Sequence, residues 1–331
     1  MLSRFARLLA VMIVIPLFYG FVSGNSRNGA EYNAKEGRKK QVGKTEIVVL
    51  KDAEVLDLGG KVPVDAIVNP ANCRLQWGPG ISEFIFTHAG DELQQECDKF
   101  KKISDEYQCQ TCENSGRWRG DYRCHTGGAK VTDALDLRKQ GIKWIVHAVG
   151  PNLLSPNWGN IDKSGQHVCY GLKENRPKAR EALKDAYTSA LSELKKEHPQ
   201  ARSIAFHCIS TNISQGGYPK DEAAVVALEA VQEYVKNHPD DYDKIILACT
   251  EAGGYCYEKG DYEAYISLPF FGDSQPIENG SLNKALKMNY KVGFVGNMLR
   301  SVCNGNSCGE EVFREMSIGG LVRGEGEVLK K

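Results

Sequence analysis

Two clusters of side chains in this chain are of types that can do chemistry. The first is Asn69-Pro70-Ala71-Asn72, followed by Trp77-Gly78-Pro79-Gly80. Carboxamides both donate and accept hydrogen bonds, and glycines let a backbone turn sharply and approach a ligand closely. The second is Cys109-x-x-Cys112 with Cys124-His125 further on. Three thiols and an imidazole are a zinc set, while a secreted chain would sooner join Cys109 to Cys112, or either to Cys124, as a disulfide. Both readings stay open at the level of sequence.

The elements that must position these groups can be read from periodicity. Ala66-Ile67-Val68 is a β-branched apolar run that predicts a buried strand ending at Asn69, and an apolar-periodic segment from Ile81 to about Phe100 predicts a helix with Ile85, Leu93 and Cys97 inward. Strand, Gly-rich turn and helix together turn N–H groups and a helix N-terminus toward an anion, although the same geometry also serves as a plain connection. Further strands are predicted at Glu46–Leu50, Ile142–Ala148, Ser203–Ile209 and Lys244–Cys249. Pro177–Lys196 has Pro at its start and an alanine/leucine stripe. A second long helix follows Pro219, with Ala223, Ala224, Ala227, Leu228, Val231 and Val235 inward. His147 lies inside a predicted strand and reads as a hydrogen-bonded core histidine. Strands alternating with helices predict an α/β fold: a three-layer α/β/α sandwich on a mixed, mostly parallel sheet, with its pocket at the C-terminal strand ends.

Composition bounds the rest. Lys+Arg and Asp+Glu both number 42 in 331 residues, a formal charge of zero, which argues against a nucleic-acid binder. Residues 1–24 carry Arg4 and Arg7 before an apolar stretch and predict a signal peptide, hence a secreted protein; a single uncleaved N-terminal anchor is the alternative. Residues 25–44 are polar and read as a flexible linker. The globular domain is placed at 45–269, with insertions at about 101–123 and 152–176, and residues 270–331 form an extension of unknown role. Among the eleven cysteines, Cys208 and Cys249 sit in apolar strands and read as core.

The order of motifs resembles the macro domain family of ADP-ribose binders. Asp65 to Asn72 resembles DAIVNAAN, and Ala89 to Leu93 resembles A-G-x-E-L. Cys124 to Ala129 resembles C-x-T-G-x-A, Ile145 to Pro151 resembles V-I-H-x-V-G-P, and Ile209 to Lys220 resembles I-S-T-G-x-x-G-Y-P-K. The resemblance implies that Asp52, with Ala53, recognises the adenine amine, and that Tyr255 or Tyr257 covers the base. It implies that Ser210, Thr211, Asn212, Ile213, Gly216, Gly217 and Tyr218 wrap the diphosphate. Asn69, Asn72, Gly78, Gly80, Ile81 and Ser82 would line the distal ribose, with Asn72 the residue tied to turnover. The implied partner is ADP-ribose or an ADP-ribosylated protein, with no nucleic acid, a monomeric state and no cofactor beyond a candidate structural zinc at Cys109, Cys112, Cys124 and His125.

Departures from the pattern bear on activity. Ser82 stands where the MacroD-type branch has a water-positioning Asp, and Glu83, one residue along a helix, points about 100° away. Asn212 replaces a glycine, two residues are added to that loop, Pro79 removes an N–H donor, and Trp77 adds bulk. The family implies hydrolysis of mono-ADP-ribose from acidic side chains or deacetylation of O-acetyl-ADP-ribose; a non-catalytic reader or adaptor with a degenerate pocket is the alternative.

Overall fold

Strands covered on both faces need apolar residues at every position, not only every second one. Ile47-Val48-Val49-Leu50, Ala66-Ile67-Val68, Ile145-Val146 and Ile245-Ile246-Leu247 have that pattern. The computed structural model describes residues 37–51, 64–108, 117–153, 160–211, 217–249, 261–272 and 275–276. In chain order the elements are β1 (Gly37–Val42), β2 (Thr45–Lys51), β3 (Ala66–Ala71), α1 (Ile81–Ala89), α2 (Glu92–Asp98), β4 (Ser104–Gln108), β5 (Arg117–Tyr122), β6 (Ala129–Asp133), β7 (Trp144–Val149), α3 (Arg176–Glu197), β8 (Ser203–His207), α4 (Lys220–Asn237), β9 (Lys244–Cys249), α5 (Asp261–Ile266) and β10 (Gln275–Pro276).

Among the described residues the main sheet has the order β10-β1-β2-β9-β8-β3-β7-β6. Its centre is parallel: Ile47 faces Ile245, Ile204 faces Ile245, and Ile67 faces Ala205 and Ile145. β1, β10 and β6 join antiparallel. Side chains alternate between faces, so the core divides in two. Ile47, Val49, Val68, Val146 and Phe206 pack under α3, α4 and α5, while Val48, Leu50, Ile67, Ile145 and Ile246 pack under α1 and α2. This is the three-layer α/β/α arrangement that the alternation of strands and helices predicts.

At the N-terminal ends of the central strands Asp65 collects four hydrogen bonds. It accepts from Lys143 Nζ at 2.7 Å, the Arg202 amide at 2.8 Å, and the Ser203 amide and hydroxyl at 3.1 Å each. Burial raises its pKa, but the Lys143 bond, the Arg202 amide, the Lys143 charge and Ser203 outweigh it and hold the carboxyl below its ordinary value.

Two expectations need correction, and the two insertions gain detail. The linker read at 25–44 ends earlier, because residues 37–42 form β1, whose backbone pairs along all of β2. A partly exposed strand near the sheet edge tolerates Arg38, Lys39 and Lys40, so its polar composition hid it. The single helix expected from Ile81 to about Phe100 is two helices. Gly90 has φ +99 and its N–H caps Phe86 O at 3.1 Å, ending α1. The first insertion contains the β4–β5 hairpin. The second insertion is loop, as expected, but packs inward: Asn160 and Ile161 are buried, and the Thr126 amide donates to Ile161 O at 2.7 Å.

Candidate functional site

A cleft opens where β3, β7 and β8 end. Its wall is formed by Ala71-Asn72-Cys73, Gly78-Pro79, Ser82, Val149-Gly150, Asn152, Asn160 and Ser210. Three backbone devices shape it. Gly80 caps α1 with φ 88, a conformation that L side chains rarely adopt, and swings the first turn of the helix against the cleft. Ser210 follows β8 with φ +66, outside the comfortable range of a non-glycine residue, and its carbonyl accepts from the Tyr218 amide at 2.9 Å to close the loop between them. Gly150 stands against Ser210: a Cβ there would lie 2.2 Å from Ser210 Oγ and 2.4 Å from Ile209 Cγ2.

The Asn72 side chain organises its own turn. Oδ1 accepts from the Arg74 and Gln76 amides at 3.0 and 3.2 Å, and Nδ2 donates to Gln76 O at 2.9 Å. Its acceptor is therefore filled, and one N–H remains, beside Gly78. Asn152 and Asn160 clamp each other through the Asn152 amide to Oδ1 at 2.9 Å and Nδ2 to the Asn152 carbonyl at 2.7 Å.

Electrostatically the wall is neutral. Among the described residues it holds amides, hydroxyls, backbone and one thiol, with no carboxylate, imidazole or cation. Burial pushes the Cys73 thiol up, so it stays protonated and is a poor nucleophile. Two wall hydroxyls, Ser82 Oγ and Ser210 Oγ, are buried without a hydrogen-bond partner among the described residues.

Other expected site residues go elsewhere. Asn69 turns its Nδ2 to His147 Nδ1 at 3.1 Å, and His147 Nε2 reaches Thr132 Oγ1 at 3.0 Å. Full burial holds the His147 pKa down to about 3, the core histidine that its strand position predicts. Thr211 hydrogen-bonds Asp261, whose pKa is raised by burial against the opposing pull of Lys220 at 3.3 Å. The Tyr218 ring is buried with Arg176 over its face and not in the cleft, and Ile81 packs against the α1–α2 core. Thus Asn72, Gly78, Ser82 and Ser210 come together, while Asn69, Thr211 and Tyr218 support from behind. Gly80 and Gly217 shape the backbone at positive φ. Asp52, Ala53, Asn212, Ile213, Gly216, Tyr255 and Tyr257 lie outside the described residues.

For the cysteine set, Cys124 is a buried free thiol at 3.5 Å from His125 O, which removes the disulfide to Cys124; His125 Nδ1 bonds Thr126 O. Cys109 and Cys112 lie outside the described residues. No three His, Cys, Asp or Glu side chains converge as a metal site among the described residues. Cys169 is disulfide-bonded, whereas Cys73, Cys97, Cys208 and Cys249 are free.

Sequence reasoning missed Gly150, Asn152 and Asn160. Gly150 lies within the Ile145–Pro151 motif and carried a signal; Asn152 and Asn160 sit in the insertion after it and carried none.

The chain is similar to several known proteins. The Macro domain family model matches residues 68–227. The O-acetyl-ADP-ribose deacetylase of Cronobacter sakazakii is 30% identical over 215 residues, covering 65% of this chain and 91% of that protein. The ADP-ribose glycohydrolase MACROD1 of Mus musculus is 33% identical over 189 residues, covering 56% of this chain. The chain spans 44% of that relative's length. The Oceanobacillus iheyensis macrodomain with ADP aligns over 70% of this chain and 93% of its own, at 23% identity and TM-score 0.48.

Proposed function

The chain belongs to the macro domain family, and on that premise we propose that its cleft binds ADP-ribose and hydrolyses ADP-ribosyl esters. The substrates are mono-ADP-ribose on acidic side chains or O-acetyl-ADP-ribose. The observation that carries this reading is the neutral, incompletely hydrogen-bonded wall at the C-terminal ends of β3, β7 and β8. A diphosphate there is held by backbone N–H groups and the α1 N-terminus, which suit an anion without a cationic side chain. A distal ribose beside Asn72 receives the one N–H that the turn leaves over, so Asn72 donates to it and does not accept. Asp52 takes the adenine amine.

Ser82 stands in place of an Asp, and among the described residues the wall has no ionisable base, so any hydrolysis here orients its water by neutral groups. As the attacking water adds, the ester C–O bond breaks and the carboxylate leaves, while the water's proton passes to the ligand's own diphosphate or to solvent, giving ADP-ribose and the free acid. No resident cofactor is needed for that chemistry. The disulfide at Cys169 supports a second part of the proposal, that residues 1–24 direct the chain to an oxidising compartment outside the cytoplasm.

Calorimetric titration of ADP-ribose into the protein, paired with release of ADP-ribose from a protein modified on acidic side chains, tests the function. Saturable binding that Asp52→Ala weakens by roughly 1.5–3 kcal/mol is the expected result. Absence of binding would remove the reading, and binding without release of ADP-ribose or acetate would leave a reader.

A further inference from the structure

Five cysteines are free thiols among the described residues. Three of them meet oxygen or nitrogen: Cys73 Sγ lies 3.5 Å from Thr126 Oγ1, Cys97 Sγ 3.7 Å from His147 Nε2, and Cys124 Sγ 3.5 Å from His125 O. Cys208 and Cys249 meet each other, with Sγ atoms 4.0 Å apart although they are 41 positions apart in sequence. The sheet brings them together. β8 and β9 run parallel with Ile204 beside Ile245 and His207 beside Ala248, so one further step sets Cys208 beside Cys249. Both side chains join the core under α3, α4 and α5, where Cys249 is buried and Cys208 half-buried. Tyr265 of α5 hydrogen-bonds Cys208.

Adjacent strands lie about 4.8 Å apart, within the range of about 4.4–6.8 Å between Cα atoms that a disulfide spans. Closing the sulfur gap to a bond of about 2.05 Å then takes side-chain rotation and no change of register. We propose that Cys208 and Cys249 are a disulfide site, closed by exchange with a small disulfide such as oxidised glutathione, and that the bridge braces the ends of β8 and β9. Cys208 stands two residues before Ser210 of the cleft wall, so the bridge fixes the base of the loop that Ser210 begins. The bridge is independent of the ligand that the cleft takes. In the first step the half-buried Cys208 loses its proton, and its sulfur attacks one sulfur of glutathione disulfide and expels one glutathione thiolate. Cys249, deprotonated in turn, attacks the Cys208 sulfur and expels the second. Two protein thiols are oxidised to one disulfide, one glutathione disulfide is reduced to two thiols, and the two protons pass to the departing thiolates. The contact with Cys249 lowers the Cys208 thiol, burial and Asp261 outweigh it, and burial pushes the Cys249 thiol well up. Few thiolates therefore form in the folded protein, so the bond closes slowly, and burial shields it from reductants once made. Cys169 already carries a disulfide, and the conditions that keep that bond act on this pair too.

The test is a peptide map of the full chain after prolonged incubation with oxidised glutathione in mildly alkaline buffer, with free thiols alkylated before a non-reducing digestion. A peptide joining Cys208 to Cys249, lost on treatment with dithiothreitol, is the expected result. Unfolding temperature is then read with and without dithiothreitol for the wild type, Cys208→Ala and Cys249→Ala. All three keep the Cys169 disulfide, so what dithiothreitol costs the wild type beyond what it costs the variants reads this bridge alone. A difference of about 5–10 °C is expected. Cysteines found alkylated, or capped singly by glutathione, overturn the site, and the wild-type map decides this even if a variant does not fold. A linked peptide with the same dithiothreitol effect in all three proteins overturns the brace.

Discussion

Strand β3 has a polar residue cluster at each end, and the two are built in opposite ways. At its start Asp65 is saturated: one carboxylate takes four hydrogen bonds from Lys143, Arg202 and Ser203 and ties together the starts of β3, β7 and β8. Its backbone N–H is paired too, donating to Ser203 Oγ at 2.9 Å. At the other end Ser82 and Ser210 are buried with open hydroxyls, and Ser210 is strained as well. Unpaired groups and strain at one end, complete pairing at the other, are how a parallel sheet separates the end that stabilises it from the end that meets a ligand. Changes at the first should act on folding, and changes at the second on binding.

The sharpest way to break this contrast is Asp65→Ala. The carboxylate is partly buried, and its removal leaves two backbone amides and an ammonium without their acceptor, so a loss of about 2–4 kcal/mol is expected. Chemical denaturation would read it, with a protein that still folds keeping its affinity for ADP-ribose per folded molecule. The pH dependence has a definite sign. The folded pKa of Asp65 lies below its unfolded value, so its contribution is complete above the unfolded pKa and is lost as pH falls through the lower one. Wild-type stability should therefore drop in acid below about pH 4, and Asp65→Ala should flatten part of that drop. An equally steep acid limb in the variant would assign the loss to other carboxylates.

How far these two ends could be read in the sequence is itself unequal. The motif Asp65 to Asn72 located β3, the cleft and the position of Asn72, because a buried parallel strand must be apolar throughout and must stop abruptly. The role of Asp65 was hidden, since its partners Lys143, Arg202 and Ser203 are distant in sequence and belong to strand starts with no signature. The motif names Asn69 and Tyr218 as ligand groups, and their side chains turn to His147 and into the core. A motif gives a residue's place along the strand but not which way its side chain finds a partner. β1 was missed for a different reason: Gly37-Arg38-Lys39-Lys40-Gln41-Val42 is polar because a strand near the edge need not be covered on both faces. Asn160 reaches the cleft from an insertion whose path no local pattern encodes.

Gly150→Ala probes the cleft end through packing. The new methyl would meet Ser210 Oγ at 2.2 Å and Ile209 Cγ2 at 2.4 Å, so β8's end or β7's end must shift. Overpacking of this kind costs about 1–3 kcal/mol, smaller than the Asp65 effect. Binding of ADP-ribose should fall as well, since Ser210 is the residue displaced. Combining it with Ser210→Gly tests the mechanism: the double variant should recover part of the stability lost, because only the Ile209 contact remains. Strict additivity of the two changes would mean that Gly150 and Ser210 do not act on each other.

Asn72→Ala is the smallest change in stability and the most informative about chemistry. Its side chain makes three bonds, all within the exposed turn from Asn72 to Gln76, and water can replace them. A loss of about 0.5–1 kcal/mol is therefore expected in denaturant unfolding. The single N–H that remains available contributes modestly to ground-state binding, so ADP-ribose affinity should fall less than in Asp52→Ala. Turnover should fall by more than affinity if that N–H meets the distal ribose most strongly as its bond to the leaving group breaks, since only contacts that strengthen in the transition state affect rate beyond binding. Asn72→Asp separates this from simple loosening of the turn. Aspartate keeps the two acceptor contacts to the Arg74 and Gln76 amides, gives up the Nδ2 bond to Gln76 O, and has no N–H to offer a ligand, so it should hold the turn better than alanine does and still lose turnover. Full activity in Asn72→Asp would show that Asn72 works only by bracing its loop, and would move the search for the ribose-facing donor to Asn152 and Asn160, which line the same cleft.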